Sequence, residues 1–278
     1  MKSKIKIILI IGAIVFISIN AFNYFHNKNK ASRDSLPISG TVEATEVRLS
    51  FQVGGKIKEI LTDEGKFVKQ GEILASLEKE ELMTMKKQSE SAYEEAKLNY
   101  ERIEEDYSRA ENLYKAGAVP QQQRDAVKTN FGVAKAKMET LQSSLDLTKL
   151  RLSYADLRSP LDSFILVKSA EVGEVIQPGA PVFTVIDLKN IWITGYINET
   201  DLGKVKLNQD ANIRIDTYPD KTYKGRVSFI SQEAEFTPKH IQTVEERTKL
   251  VYRVKINVDN SDFELKPGMP ADAYIQIK

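Results

Sequence analysis

Apolar residues recur at alternating steps of three and four along the first half of the chain: Tyr93, Ala96, Tyr100, Ile103, Tyr107, Ala110 and Tyr114. A period of 3.5 residues sets them on one seam of a helix, as in a coiled coil. Val127, Phe131, Ala134, Met138, Leu141, Leu145, Thr148 and Leu152 repeat the pattern, with Thr148 alone polar. Between the runs, Lys115-Ala-Gly-Ala-Val-Pro120 offers a glycine that can end one helix and a proline suited to the first turn of the next. So short a connection makes the helices antiparallel neighbours. Glu78, Glu80 and Glu81 complement the positive end of the first helix. The pattern thus predicts a hairpin over residues 78–156. Roughly 35 residues per helix at about 1.5 Å each give a rod on the order of 50 Å. Its polar outer faces favour projection into solvent over packing on a globular core.

On either side the period changes to two. Gly54–Ile60, Glu64–Val68 and Gly71–Leu77 alternate between glycine turns, and the same layout returns as Leu161–Ile165, Val172–Ile176 and Gly179–Ile186. A shift of 108 residues carries Gly65 onto Gly173, Gly71 onto Gly179, Ile57 onto Ile165, Val68 onto Ile176 and Leu74 onto Val182. This reads as an internal repeat, residues 51–77 and 157–187, interrupted by the hairpin. Further strand-like runs follow at Ile191–Ile197, Ala211–Ile215, Lys224–Ile230, Leu250–Val258 and Ala271–Ile277, with turns near Asp220-Lys221 and Pro267-Gly-Met-Pro270. Their spacing suggests a small β-barrel over residues 39–50 and 188–278, completed by the strand Gly40–Val47, with Trp192 and the tyrosines as core.

At the N-terminus Lys2, Lys4 and Lys6 precede the apolar run Ile7–Ile19. Counted to Phe25, the segment is about 20 residues, enough to cross a bilayer core near 30 Å. A cleaved signal peptide competes, but Ile19-Asn-Ala21 is a poor cleavage site, which favours an uncleaved anchor over residues 1–25. The basic end would stay in the cytoplasm and the rest would be exported. Residues 26–38 read as a polar linker.

Composition narrows the chemistry. Forty Lys and Arg stand against 39 Asp and Glu, so no basic excess points to nucleic acid. With no cysteine and only His26 and His240, thiol chemistry, a thiolate metal site and a histidine cluster are disfavoured. No Gly-x4-Gly-Lys-Ser/Thr loop is present to hold ATP. Glu233, Glu235, Glu245 and Glu246 could be read as the acid/base set of a secreted β-rich hydrolase or binding protein, but they crowd one polar loop and read as solvated.

Two halves of a lipoyl- or biotinyl-like domain split by a helical hairpin resemble the membrane fusion proteins, the haemolysin D-type periplasmic adaptors of tripartite exporters. The resemblance runs from about residue 39 to 277. It implies an α+β, elongated, multidomain chain: an antiparallel coiled-coil hairpin inserted in a split β-sandwich, plus a β-barrel and an N-terminal transmembrane anchor. In a true lipoyl domain a lysine on the turn joining the halves carries the cofactor. Helices replace that turn here, so no cofactor is expected, and Lys79 reads as a solvated residue at the helix start. Glu235-Phe-Thr-Pro238, Gln242-Thr243, Arg247 and Val251-Tyr252 resemble a segment of adaptors that serve ABC-type exporters.

The family likeness implies a non-enzymatic, inner-membrane adaptor with its bulk in the periplasm. It would form a homo-oligomer, a hexamer by analogy, and join an ABC-type transporter to a TolC-type outer-membrane channel. Many members continue past the barrel. This sequence stops at Lys278, after Leu265–Pro270, so the barrel is expected to face the transporter, which weakens the alternative of a proton-driven pump. Relatives that grip such a channel carry Arg-x3-Leu-x6-Ser at the hairpin tip. Arg109 and Leu113 keep the spacing, whereas the third position is Pro120. The expected channel contact is therefore Arg109, Leu113, Pro120, Gln121 and Gln122, above a seam of Tyr93, Tyr100, Ile103, Tyr107, Phe131, Met138, Leu141 and Leu145.

Overall fold

The computed structural model describes residues 35–236 and 250–277. The expected anchor, residues 26–34 of the linker, His240, Glu245, Glu246 and the adaptor-like Pro238, Gln242, Thr243 and Arg247 lie outside the described residues. Among the described residues no helix is long and apolar enough to cross a membrane. Strands β1 (Ser35–Ser50), β2 (Gly55–Ile60), β3 (Phe67–Val68) and β4 (Ile73–Leu77) precede helices α1 (Glu80–Lys115) and α2 (Gln121–Ser153). Then come β5 (Asp156–Arg158), β6 (Ser163–Lys168), β7 (Val175–Ile176), β8 (Pro181–Asn198) and the one-turn α3 (Glu199–Leu202). The chain ends with β9 (Asp210–Arg214), β10 (Tyr223–Ile230), β11 (Glu235–Phe236), β12 (Leu250–Asp259) and β13 (Pro270–Gln276). It forms two compact units, Glu46–Ile186 and the remainder on either side.

In the unit Glu46–Ile186 the two repeat halves build one β-sandwich. Three antiparallel pairings join a strand before the hairpin to one after it: β2 with β7, β3 with β6 and β4 with β5. The backbone exchange is reciprocal under the 108-residue shift. Gly65 N–H donates to the Ile165 carbonyl and Gly173 N–H to the Ile57 carbonyl, both at 2.9 Å. Gly71 N–H donates to Ser159 at 2.8 Å and Gly179 N–H to Phe51 at 3.0 Å. All four glycines have φ between 76° and 91°, the left-handed region open to them without a Cβ clash. Even the bulges correspond, falling between Ile57 and Glu59 and between Ile165 and Val167. Ile57, Leu74, Ile165, Val182 and Phe183 are at most 2 % exposed. Each such side chain contributes about 1.5–3 kcal/mol by leaving water.

In the other unit six strands close a barrel, in the order β12, β10, β9, β13, β1, β8 and back to β12. Ile38, Val42, Ile193, Ile213, Val254 and Ile275 belong to its core. β11 adds to the outer edge of β12. A side chain at Gly40 would meet the Thr194 carbonyl at 2.3 Å, so glycine permits β1 and β8 to approach. Two expectations need correction. Residues 35–38 are not linker: Ser35 pairs with Gln276 and Leu36 with Ile275, and Ile38 is buried, because β13 supplies ladder partners the local sequence does not reveal. Trp192 is not core either. Its indole N–H donates to Glu43 at 3.0 Å and Lys255 lies 4.4 Å from its ring centre, while Ile191 and Ile193 point inward.

The hairpin is held by its own seam. Tyr100 and Tyr107 pack on Phe131 with ring centres 5.5 and 5.1 Å apart, and Leu145 and Ala134 are buried. No residue of α1 is fully buried. The hairpin leaves the sandwich between strands that are already adjacent, because Leu77 N–H donates to the Ala155 carbonyl at 2.9 Å. Lys79 is not merely solvated there: its amine lies 2.6 Å from Asp156, which also accepts from the Ser76 hydroxyl at 2.9 Å. Burial pushes the Asp156 carboxyl up, but hydrogen bonds from Lys79 and Ser76, with the charges of Lys79 and Arg158, bring it below its ordinary value of 3.8.

A carboxyl lowered in the folded state adds stability that is present above 3.8 and lost as pH falls through the folded value. The Asp156→Asn variant should be less stable than wild type by on the order of 1 kcal/mol at neutral pH. In urea melts this gap should stay constant from neutral pH to about 5 and close below about 4. A gap that widened on acidification would contradict the assignment.

Candidate functional site

The hairpin tip follows from how its two helices end. α1 closes with Gly117 at φ 73°, its N–H donating to the Tyr114 carbonyl, while Ala118 N–H donates to Leu113, both at 2.9 Å. This double bond satisfies the last carbonyls of the helix and reverses the chain in a few residues. Pro120 is extended and caps α2 from outside rather than occupying its first turn. Gln123 N–H and Arg124 N–H both donate to its carbonyl.

The five expected contact residues all lie exposed in the last two turns of α1 and the start of α2. Leu113 is 43 % exposed, an apolar side chain one turn beyond Arg109 and off the seam line of Ala110 and Tyr114. The Arg109 guanidinium is 70 % exposed and stands 3.9 Å from Asp106, a loose surface pair of small energetic worth. Pro120, Gln121 and Gln122 present a proline ring and two amides. The eight expected seam residues are set inward: Leu145 is buried, and Tyr93, Tyr100, Ile103, Tyr107, Phe131, Met138 and Leu141 are half-buried.

Sequence reading missed Arg124. Its guanidinium carbon lies 4.7 Å from the centre of the Tyr114 ring, and its side chain is only 19 % exposed. The cation covers the seam's last aromatic and ties the start of α2 to the end of α1. An arginine seven residues after Gly117 and ten after Tyr114 was the available signal.

The remaining polar clusters have structural partners. Lys221 bonds Glu264 at 2.5 Å, and Glu264 accepts from the Tyr223 hydroxyl at 2.7 Å. Burial and then this carboxylate push the Tyr223 phenol far up, and hydrogen bonds from Lys221 and Tyr223 hold Glu264 low. Glu235 is ion-paired with Arg253 at 3.2 Å. Among the described residues no group of three His, Asp or Glu could hold a metal ion.

Comparisons with known proteins match this architecture. A CzcB-like barrel-sandwich hybrid domain family matches residues 45–187, and a YknX-like β-barrel domain family matches residues 191–275. The chain is 26 % identical over 98 % of its length to a UPF0194 membrane protein of Acidithiobacillus ferridurans, covering 94 % of that protein. It is also 26 % identical over 97 % of its length to the UPF0194 membrane protein YbhG of Salmonella typhi, covering 96 % of it. The fold resembles the membrane fusion protein Spr0693 of Streptococcus pneumoniae, with TM-score 0.66 and 20 % identity, covering 88 % of this chain and all of that one. It resembles MacA of Actinobacillus actinomycetemcomitans with TM-score 0.61 and 21 % identity, covering 88 % of this chain and 79 % of that one. With more than half its length matched, in the split arrangement that holds the hairpin, the chain belongs to the CzcB-like barrel-sandwich hybrid family, and its fold is that of the membrane fusion proteins it resembles.

Proposed function

We propose that this chain is a non-enzymatic adaptor that joins an inner-membrane ABC-type exporter to a TolC-type outer-membrane channel. One observation carries the reading: a self-supporting helical pair, inserted in a sandwich already complete without it, ends in an exposed tip. α1 has 36 residues, so at about 1.5 Å per residue it spans roughly 54 Å. Energy comes from the transporter, since the sequence has no phosphate-binding loop of its own. Transporter motion passes through the sandwich and hairpin, and the tip seats on the channel through Arg109, Leu113, Pro120, Gln121 and Gln122. Residues 1–25 anchor the chain in the inner membrane. The likeness of Glu235–Pro238, Gln242-Thr243, Arg247 and Val251-Tyr252 to the adaptors of ABC-type exporters supports the choice of transporter.

Action as a ring, with six copies expected from the family, has support in an asymmetry of the sandwich. Where β3 of the first half pairs with β6 of the second, Phe67, Leu166 and Val167 are each 41–43 % exposed, and the Phe67 and Phe164 rings meet edge to face at 5.2 Å. The 108-residue shift sets Val175, Lys58, Glu59 and Lys56 at the matching places, where β7 pairs with β2. Two equivalent faces of one backbone design thus differ in surface chemistry: Leu166 and Val167 on one stand where the other has Lys58 and Glu59, while Phe67 matches the exposed Val175. A contact between unlike faces of successive copies builds a ring.

Two variants test these parts separately. Leu113→Asp should leave folding, membrane attachment and oligomeric state unchanged and reduce export at least about tenfold, because a buried charge is costly at an apolar contact. Wild-type export in that variant would remove the tip from the model. Leu166→Lys copies the residue of the matching half and should shift the assembled protein to smaller species in sedimentation velocity. An unchanged distribution would place the ring contact elsewhere.

A further inference from the structure

The register of the barrel strands identifies the end at which the chain arrives from its N-terminal segment. Ser35 pairs with Gln276, Ala211 with Ile275, Ile230 with Val254 and Val251 with Asn198. The start of β1 therefore shares one end of the barrel with α3, with the loop after it and with the ends of β8 and β10. That loop, Gly203-Lys-Val-Lys-Leu-Asn208, is firmly built. The Gln209 side chain accepts from Lys206 N–H at 2.8 Å and donates to the Lys204 carbonyl at 3.1 Å. Asn208 sits at φ 66° and its N–H donates to Val227 at 2.8 Å. The turn buries Val205 and leaves Leu207 57 % exposed, next to Lys206. Behind it lies a cleft of about 370 Å³ lined by Leu202, Val205, Leu207, Ile230 and Tyr252 together with the polar Ser231 and Gln232. Phe229 and Leu250, 40 % and 36 % exposed, belong to the same end. Asp201, Asp210 and Glu235 there are ion-paired to Lys204, Arg226 and Arg253.

A single exposed leucine is ordinary on a protein surface. This one is held outward by a stapled turn, directly after Lys206, at the end where an apolar segment joins the barrel. Nine residues, 26–34, separate Phe25 from β1. Fully extended they reach about 30 Å, so this end cannot lie farther than that from a segment inserted in a bilayer. We propose that the loop Gly203–Asn208 rests on the lipid surface, with Leu207 dipping into the boundary of the acyl chains and Lys206 at the phosphates, while Lys204 neutralises Asp201 beside it. Leucine beside a lysine suits that boundary, because the lysine stem lies along apolar surface while its ammonium group stays in the headgroup layer. The inference rests on the reading of residues 1–25 as an anchor.

The chain has no cysteine, so Leu207→Cys gives a full-length protein with one thiol for an environment-sensitive fluorophore. Ser261→Cys, at the opposite end of the barrel, and Ile14→Cys, in the apolar segment, give two companions. Each is reconstituted without a transporter into phosphatidylethanolamine–phosphatidylglycerol vesicles containing a lipid spin-labelled near its headgroup or, for position 14, a lipid spin-labelled near the end of an acyl chain. The label at position 207 should be quenched at least about twofold more than that at 261, as interfacial burial requires. Equal quenching at 207 and 261 overturns the proposal. If position 14 is quenched in that case, the anchor reading stands and the loop faces water or a protein partner. If position 14 is also unquenched, the anchor reading falls with it.

Discussion

The structure depends on a reciprocal exchange of backbone hydrogen bonds between two segments that lie before and after the hairpin. Gly65 donates to Ile165 and Gly173 to Ile57, while Gly71 donates to Ser159 and Gly179 to Phe51. Each net bond is worth only about 0.5–1.5 kcal/mol. Their weight comes from position: they fix the register in which Ile57, Leu74, Ile165 and Val182 share one core. The core is shared by residues of both halves, each shorter than the roughly 40 residues at which a lone segment can bury a core of its own.

That exchange explains why a hairpin can sit where it does. At the splice the last bond of the first half, Leu77 N–H to Ala155, already joins the strands on either side of the insertion. The helices therefore close a gap that the sandwich has already bridged. The Lys79–Asp156–Ser76 cluster clamps that junction, so the direction in which α1 leaves is set by partly buried polar contacts rather than by a free linker. The 108-residue relation also makes the insertion sites equivalent: where the first half runs on into the hairpin after Leu77, the second runs on from Val185 toward the barrel. One duplicated half-motif thus has two exits, and each carries a different element.

Much of this was legible in the sequence because it rests on local signals. The seam from Tyr93 to Tyr114 shows because a 3.5-residue period is unlike any other pattern. The repeat shows because Gly65, Gly71, Gly173 and Gly179 occupy backbone conformations that nearly any other residue would strain. What escaped depends on partners distant in the chain. Residues 35–38 looked like linker because their ladder is supplied by β13, more than two hundred residues away. Trp192 looked like core because an alternating strand hides which face turns toward Glu43 and Lys255. Lys79 looked solvated because Asp156 lies beyond the hairpin, and Arg124 looked like an ordinary helical cation because its aromatic partner belongs to the other helix. At the tip, the residues singled out from the sequence are exposed, but neither sequence nor fold says what they touch, since exposure is a local property and a partner is not.

The most direct test removes the insertion. Replacing residues 79–153 with a short glycine-containing turn should leave a folded sandwich, and native-state hydrogen exchange should still find the amides of Gly65, Gly71, Gly173 and Gly179 protected as in the full chain. Loss of that protection, with the barrel still folded, would show that the helices hold the two segments together and would contradict a sandwich completed by its own exchanged bonds.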